Sequence, residues 1–126
     1  MLSKKYKLKL RSHPLFFNKA RRLKTPFSTW WYLHFDEMKS ESAFACTQFV
    51  MVVPKKIARK ATERNQYKRR VYAALTRCLT TDELQNLPFA VAITAHAGIH
   101  KQSDEDLYQQ SLEVLLKLQG KYPGGK

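Results

Sequence analysis

The sequence predicts an α+β or α/β fold with a small mixed sheet. Two long segments, 57–79 and 103–120, repeat apolar residues at the three- and four-residue spacing of amphipathic helices. Three short runs, 27–35, 47–53 and 89–95, are rich in aromatic and β-branched residues, as strands are. A strand, helix, strand unit spans the first long helix, so we expect a crossover connection, which is right-handed by default.

A basic arm and a short helix are predicted at the start of the chain. Nine of the first 24 residues are Lys or Arg and none is acidic, and we expect residues 1–13 to form the arm. Residues 14–23 then fit a helix of two to three turns that begins near a proline. Phe16 and Phe17 are adjacent and must point about 100° apart, so one anchors the helix and the other lies near its flank.

The first predicted strand, 27–35, alternates between two sides. The better core side consists of Phe27, Thr29, Trp31, Leu33 and Phe35. The other side is amphipathic, is expected to be wet, and consists of Ser28, Trp30, Tyr32 and His34. Because large aromatic residues are mostly buried, a core position for that second set is the alternative. Polar residues 36–43 predict the turn of a hairpin that leads to the second strand, 47–53.

The highest charge density lies at residues 55–70, which hold eight of the 23 Lys and Arg residues and one acid, Glu63. One side of the predicted helix is apolar and the other is cationic. The cationic stripe is Lys60, Arg64 and Lys68, with Asn65 and Arg69 beside it. A merely solvated face is the alternative, but such faces usually mix Glu with Lys, whereas like charges here repel one another. We therefore expect a polyanion to bind this helix.

The remaining elements complete the order helix, strand, strand, helix, strand, helix in a single domain, 1–126. Small residues on one side of the third strand, Ala90, Ala92 and Thr94, leave room for another element. Residues 96–102 are predicted as a loop. Ser103 is the expected N-cap of the last helix because three acids follow it, where the helix dipole favours them. The last six residues, 121–126, are expected to be a frayed tail.

The charge balance limits the classes of partner. Twenty-three bases against ten acids give a net charge of +13, which favours nucleic acid or an anionic membrane surface. No apolar run is long enough to span a bilayer and the N-terminus lacks a secretory pattern, so we expect a cytoplasmic protein. Cys46 and Cys78 are expected to be buried thiols, because a disulfide is disfavoured in a reducing cytosol.

Candidate catalytic groups do not converge in the sequence. A protein phosphodiesterase needs clustered carboxylates or a histidine pair, and the acids fall in separate predicted elements. His96 and His100 are four residues apart, but Gly98 lies between them in a loop and no third ligand follows. We therefore expect neither catalytic residues nor a metal site in this chain.

One stretch resembles a known family. The residues PKKIARKATERNQYKRR resemble the signature of the protein subunit of bacterial ribonuclease P, V-S-K-K-x-x-x-x-A-V-x-R-N-x-x-K-R-x-x-R. The positions that match in register are Val53, Lys55, Lys56, Ala61, Arg64, Asn65, Lys68 and Arg69. The sequence departs from the pattern at Pro54, where the family has Ser, and at Gln66 and Tyr72, where it has Arg. The rest of the chain fits the family in outline.

The resemblance implies a fold and a set of site residues. It implies an α/β sandwich with a left-handed crossover, a basic helix that binds the catalytic RNA, and a cleft between the first helix and the sheet for the 5′ leader of precursor tRNA. The RNA-binding candidates are Lys55, Lys56, Arg59, Lys60, Arg64, Asn65, Lys68, Arg69 and Arg70. The candidates for the leader, chosen because aromatic platforms hold single strands, are Phe16, Phe17, Trp30, Tyr32 and His34.

The function implied by the resemblance is endonucleolytic 5′ maturation of tRNA, as the protein component of an endoribonuclease whose RNA subunit performs the hydrolysis. Mg²⁺ is then expected in the holoenzyme, held mainly by RNA, and none bound tightly by the protein alone. The expected partners are ribonuclease P RNA and precursor tRNA, with no membrane and no obligate protein partner. The alternatives are a structural RNA-binding protein of ribosomal type and a metal-dependent nuclease that acts alone.

Overall fold

The computed structural model describes residues 6–8, 16–37, 46–80 and 82–121. In chain order the helices and strands are α1 Phe16–Lys19, β1 Arg21–Lys24, β2 Ser28–His34, β3 Gln48–Val52, α2 Ala61–Cys78, α3 Asp82–Gln85, β4 Phe89–Ala95 and α4 Asp104–Lys121. Short 3-10 segments lie at Phe35–Glu37 and Ala97–Lys101. The predicted α+β class is confirmed. Most of the predicted arm, most of the 36–43 turn and nearly all of the predicted tail lie outside the described residues.

The first predicted helix, 14–23, is wrong at its C-terminal end. Helix α1 ends at Lys19, and the following residues form β1, an antiparallel partner of β2. The two strands join through a tight turn in which the Thr25 N–H donates to the Ser28 carbonyl at 2.8 Å and the Ser28 N–H donates back at 3.3 Å. Pairing along a strand therefore prevails over the local helical spacing.

The sheet has the strand order β1-β2-β4-β3, and β2 and β3 are not neighbours. The predicted hairpin between them is therefore wrong, because β4 lies between the two strands. It pairs antiparallel with β2 and parallel with β3. Six of its seven residues are buried, which suits a central strand. The parallel connection from β3 through α2 to β4 confirms the predicted crossover, and its handedness stays a prediction.

The two faces of the sheet are covered unequally. Helices α2 and α4 pack on one face, where Trp30 and Phe49 meet Leu75 and Leu115 in the main core. A smaller cluster on the other face joins Phe16 of α1 to Leu33, Ala90 and Ala92. The small residues predicted to admit another element do so at Ala90 and Ala92. The α4 and α2 side takes the larger apolar surface because each helix runs for 18 residues, against four in α1.

Both sides of β2 are largely buried, so the prediction that its second side is wet is wrong, and the alternative, a core position for that side, is confirmed. Trp30 is 0% exposed and Tyr32 is 5% exposed, and both belong to the main core. Trp31 and Leu33 lie on the side of α1. The alternation itself is correct, but a period of two does not say which face receives the larger helices.

The long helices begin in different ways. Helix α2 begins at Ala61, later than predicted, and its N-cap Lys60 makes no side-chain capping bond. The predicted start of α4 is confirmed, because the Ser103 hydroxyl accepts the Asp106 N–H at 3.1 Å and the Asp106 carboxylate accepts the Ser103 N–H at 3.1 Å. Within the described ranges, no helix combines the length and apolar character needed to cross a membrane.

Candidate nucleic-acid interface

The segment before α2 holds its lysines at the surface. Pro54 follows β3, and its carbonyl accepts N–H groups from Ile57 at 2.9 Å and Ala58 at 3.3 Å. Ile57 and Ala58 pack against the main core, which leaves Lys55 and Lys56 exposed. A turn at the end of a buried strand therefore projects two cations from the edge of the sheet.

Arg64 fixes the next part of this segment. Its Nη1 donates to the Ala58 carbonyl at 3.1 Å and to the Arg59 carbonyl at 2.8 Å. These bonds hold the segment before the helix in place, although Lys60 provides no side-chain cap. Arg64 is only partly exposed. Its guanidinium carries further N–H donors, so the same side chain can support the segment and still face a ligand.

The other candidate residues form a strip of exposed cations and one amide, here named the basic strip. Its members are Lys55, Lys56, Arg59, Lys60, Asn65, Lys68 and Arg69. All are exposed except Lys68, which is half-buried. None of its cations forms a salt bridge with another described residue. Unneutralised cations on neighbouring helical turns repel one another, and a polyanion relieves that repulsion.

Arg70 and Arg77 have a different role, since both join α2 to α4. Arg70 Nε lies 2.8 Å from Asp104 Oδ1, and its Nη2 donates to the Gln102 carbonyl at 2.5 Å. Arg77 lies 3.1 Å from Glu105 and its guanidinium stands 4.0 Å from the ring centre of Tyr108. Arg70, predicted as an RNA contact, thus already has a carboxylate partner.

Tyr72 occupies the position where the family pattern has Arg, and it closes the edge of the sheet. Its hydroxyl accepts the Met51 N–H of β3 at 3.1 Å. Lys7 Nζ lies 5.7 Å from its ring centre, next to a parallel bridge between Lys7 and Phe49. Burial raises the pKa of Tyr72, while the bond from Met51 acts in the opposite direction. The phenol therefore accepts a backbone N–H of β3.

A second surface, which is aromatic, lies on the face of the sheet that is not covered by α2 and α4. Phe16 is buried, whereas Phe17 is 39% exposed and meets the Trp31 ring edge-on at 5.2 Å between ring centres. The Arg22 guanidinium stands 5.3 Å from the ring centre of Trp31. Phe17, Trp31 and Arg22 together are named the Phe17 surface below. They combine one exposed ring, one half-buried ring and a cation, and rings beside a cation are the combination that holds single-stranded nucleic acid.

The predicted leader residues do not form one site. Phe16 and Phe17 lie on α1, while Trp30 and Tyr32 are buried against the long helices, so their predicted place in a wet cleft is wrong. His34 lies at the end of β2, edge-on to Phe89 at 5.5 Å. His34 and Tyr32 both line a small cavity of about 130 Å³.

The sequence reasoning missed Trp31 and Arg22. Trp31 stands opposite Ala92 in the β2–β4 register, and the run of small residues in β4 was the available signal that a bulky partner lies on that side. The sequence predicts a helix at Arg22, so no local pattern indicates that this residue lies beside Trp31.

The two histidines that have metal-like spacing turn to separate partners. His96 Nε2 lies 2.6 Å from the Thr29 hydroxyl, and His100 Nδ1 lies 2.5 Å from the Tyr67 hydroxyl. Among the described residues, no group of three or more His, Cys, Asp or Glu side chains could hold a metal ion.

Comparisons with known proteins give the family. The family model for ribonuclease P matches residues 2–119. A search of curated proteins by sequence found no match. Among solved structures, the Staphylococcus aureus RNase P protein is 16% identical, with a TM-score of 0.66 over 90% of this chain and 94% of that one. The Thermotoga maritima RNase P protein in complex with 1-(4-fluorophenyl)-2-thiourea is 18% identical, with a TM-score of 0.67 over 86% of this chain and 96% of that one.

At these identities the solved structures establish the fold, and a second Thermotoga maritima structure agrees with a TM-score of 0.62 at 20% identity, over 94% of this chain and 98% of that one. The family model covers nearly the whole sequence, from the N-terminal arm to the last helix. The resemblance carried by the stretch from Val53 to Arg70 is thereby confirmed. The chain belongs to the ribonuclease P protein family.

Proposed function

We propose that this chain is the protein subunit of ribonuclease P and promotes 5′ maturation of tRNA in the cytoplasm. The observation that carries the proposal is the basic strip. Its cations have no carboxylate partner among the described residues, whereas the neighbouring Arg70 and Arg77 are ion-paired within the fold. Free cations on α2 and on the segment before it fit a phosphate backbone, and this part of the chain binds the catalytic RNA.

The second part of the proposal is that the Phe17 surface binds the single-stranded 5′ leader of precursor tRNA. An unpaired strand exposes its bases, which stack on aromatic side chains beside a cation. Phe17 and Trp31 offer such rings and Arg22 offers the cation. This surface takes the role that the sequence assigned to Trp30 and Tyr32.

The chemistry in this proposal is carried by the RNA subunit. Mg²⁺ prefers phosphate oxygens and keeps several of its waters, so the ions are held mainly by RNA. The protein supplies positive charge that lowers the repulsion between two RNAs, and it supplies affinity for the leader. No protein partner is needed for either role.

Reconstitution tests the proposal. The purified chain is added to a bacterial ribonuclease P RNA and precursor tRNA at low Mg²⁺, where charge neutralisation by protein matters most, and cleavage is followed on a gel. We expect faster cleavage at the 5′ end of the mature tRNA. Binding of the RNA without faster cleavage would instead support a structural RNA-binding protein, and cleavage without any RNA subunit would support a nuclease that acts alone.

A further inference from the structure

The 3-10 segment Ala97–Lys101 is attached to the cationic helix. The Tyr67 hydroxyl lies 2.5 Å from His100 Nδ1, and the two rings meet edge-on with centres 5.3 Å apart. Tyr67 lies on α2 between Arg64 and Arg70, whereas His100 is 33 residues further along the chain. The contact therefore joins a second element to the surface next to the basic strip.

The Tyr67 contact sets the orientation and tautomer of the His100 ring. Among the described residues, the Tyr67 hydroxyl has no other hydrogen-bond partner, so we assign its proton as donated to Nδ1. A neutral imidazole that accepts at Nδ1 carries its own proton at Nε2. His100 is exposed, and Nε2 has no partner within the described ranges. It is therefore an oriented N–H donor at the surface.

The segment that carries His100 is fixed at several points besides Tyr67. Arg70 donates to the carbonyl of Gln102, and Gln102 Nε2 donates to the Gly98 carbonyl at 3.2 Å. On the other side, the His96 N–H donates to the Phe27 carbonyl at 2.7 Å. A donor on a segment held in this way loses little conformational entropy on binding a ligand.

The charges near His100 favour an anion. Lys101 is exposed next to it, and Lys60, the exposed N-cap residue of α2, lies seven residues before Tyr67. Asp104 is occupied by Arg70. Glu63, one turn before Tyr67, is the acid on α2 that opposes this balance.

We propose that His100 and Lys101 extend the RNA interface beyond α2, with His100 Nε2 donating to a phosphate oxygen of the catalytic RNA and Tyr67 acting as the positioning residue. The inference rests on the proposed function and adds a second element to it. The ligand is an RNA phosphate because a fixed N–H beside a lysine matches a phosphate oxygen and carries no information about the base.

The test measures the affinity of variants for a bacterial ribonuclease P RNA at several salt concentrations. Glutamine can place an amide N–H near the position of Nε2, whereas asparagine reaches only the position of Nδ1. We expect His100→Asn to weaken binding by about ten- to a hundredfold, the order expected for a hydrogen bond to a charged group, and His100→Gln to recover part of that loss. Lys101→Ala should lower the slope of log affinity against log salt by about 0.7 to 0.9.

Tyr67→Phe tests the positioning role, because it keeps the ring contact and removes only the hydroxyl. We expect it to weaken RNA binding when His100 is present and to have no further effect in the His100→Asn background. Lys117→Ala is the matched control, since Lys117 is an exposed lysine paired with Glu113 on α4, roughly 20 Å further along that helix than Asp104 at 1.5 Å per residue.

The outcomes separate this inference from the proposed function. Failure of the wild-type chain to bind the ribonuclease P RNA would overturn the proposed function. Wild-type binding together with His100 and Lys101 variants that behave like Lys117→Ala would overturn only the extended interface. Equal losses for His100→Asn and His100→Gln would also overturn the donor assignment. Thermal unfolding of each variant shows whether the fold is retained.

Discussion

Gly98 lies where the fold leaves no room for a side chain. A Cβ built there would lie 2.2 Å from the Pro26 carbonyl oxygen, which belongs to the backbone of the β1–β2 turn. The same turn accepts the His96 N–H at the Phe27 carbonyl. Glycine therefore allows the segment after β4 to lie directly on the turn that joins β1 to β2.

We expect Gly98→Ala to lower the free energy of unfolding by about 1 to 3 kcal/mol, because backbone atoms must move apart. Urea unfolding measures the change. Gly120→Ala is the matched control, since a Cβ at Gly120 meets nothing within 4 Å and alanine favours the helix, by up to about 1 kcal/mol. Equal stabilities for the two variants would contradict this reading of Gly98.

At the scale of the elements, α2 and α4 share one seam with a buried thiol in it. Cys78 is a free, buried cysteine whose Sγ donates to the Tyr108 carbonyl at 3.7 Å. Burial raises the pKa of Cys78 from 9.0 to about 12, and the Arg77 charge acts in the opposite direction. The folded seam therefore holds the proton of the thiol more tightly than the unfolded chain does.

This difference predicts a dependence of stability on alkaline pH. The raised pKa of Cys78 stabilises the fold fully below pH 9.0, and this stabilisation is lost as the pH rises towards about 12. We expect the stability gap between wild type and Cys78→Ala to narrow over that range, by at most about 1.4 kcal/mol per pH unit. Unfolding by urea under reducing conditions, at a series of pH values, measures the gap. Lysines and tyrosines titrate in both proteins, so their effects cancel from the gap. A gap that stays constant over this pH range would contradict the prediction.

The elements also show how far sequence reasoning reaches. The amphipathic pattern of α2 and the Ser103 cap of α4 are local, and both could be predicted. The identity of β1 depends on pairing with β2, and the position of β4 depends on contacts far apart in the sequence, so local patterns miss both. Within the basic strip, helical spacing predicts Asn65, Lys68 and Arg69, whereas the other four members lie before α2. The Phe17 surface does not follow from a local pattern, because its rings come together only when α1 is placed on one face of β2.

At the scale of the molecule, the basic strip and the Phe17 surface belong to opposite faces of one sheet. Helix α2 packs with Trp30 in the main core, while α1 packs with Leu33 in the smaller cluster. A single substitution can therefore affect one surface without altering the other.

We expect Phe17→Ala to weaken holoenzyme binding of precursor tRNA that carries a leader by about 1 to 3 kcal/mol, the value for one stacked base, and to leave mature tRNA unaffected. Arg69→Ala should instead weaken binding of the ribonuclease P RNA. Both affinities are measured by filter binding. Tyr32→Phe serves as the control because Tyr32 is buried on the other face. Equal losses for precursor and mature tRNA with Phe17→Ala would contradict the leader assignment.

The strand order also determines when the protein can fold during synthesis. Strand β4 joins β2 to β3, and it pairs Ser28 with Ala95 and Val52 with Thr94. Neither half of the sheet can be connected until β4 has been made, so closing it requires long loops and is expected to be slow. Helix α2 therefore leaves the ribosome before the sheet that supports it exists, and a nascent chain displays its cations before it has a core.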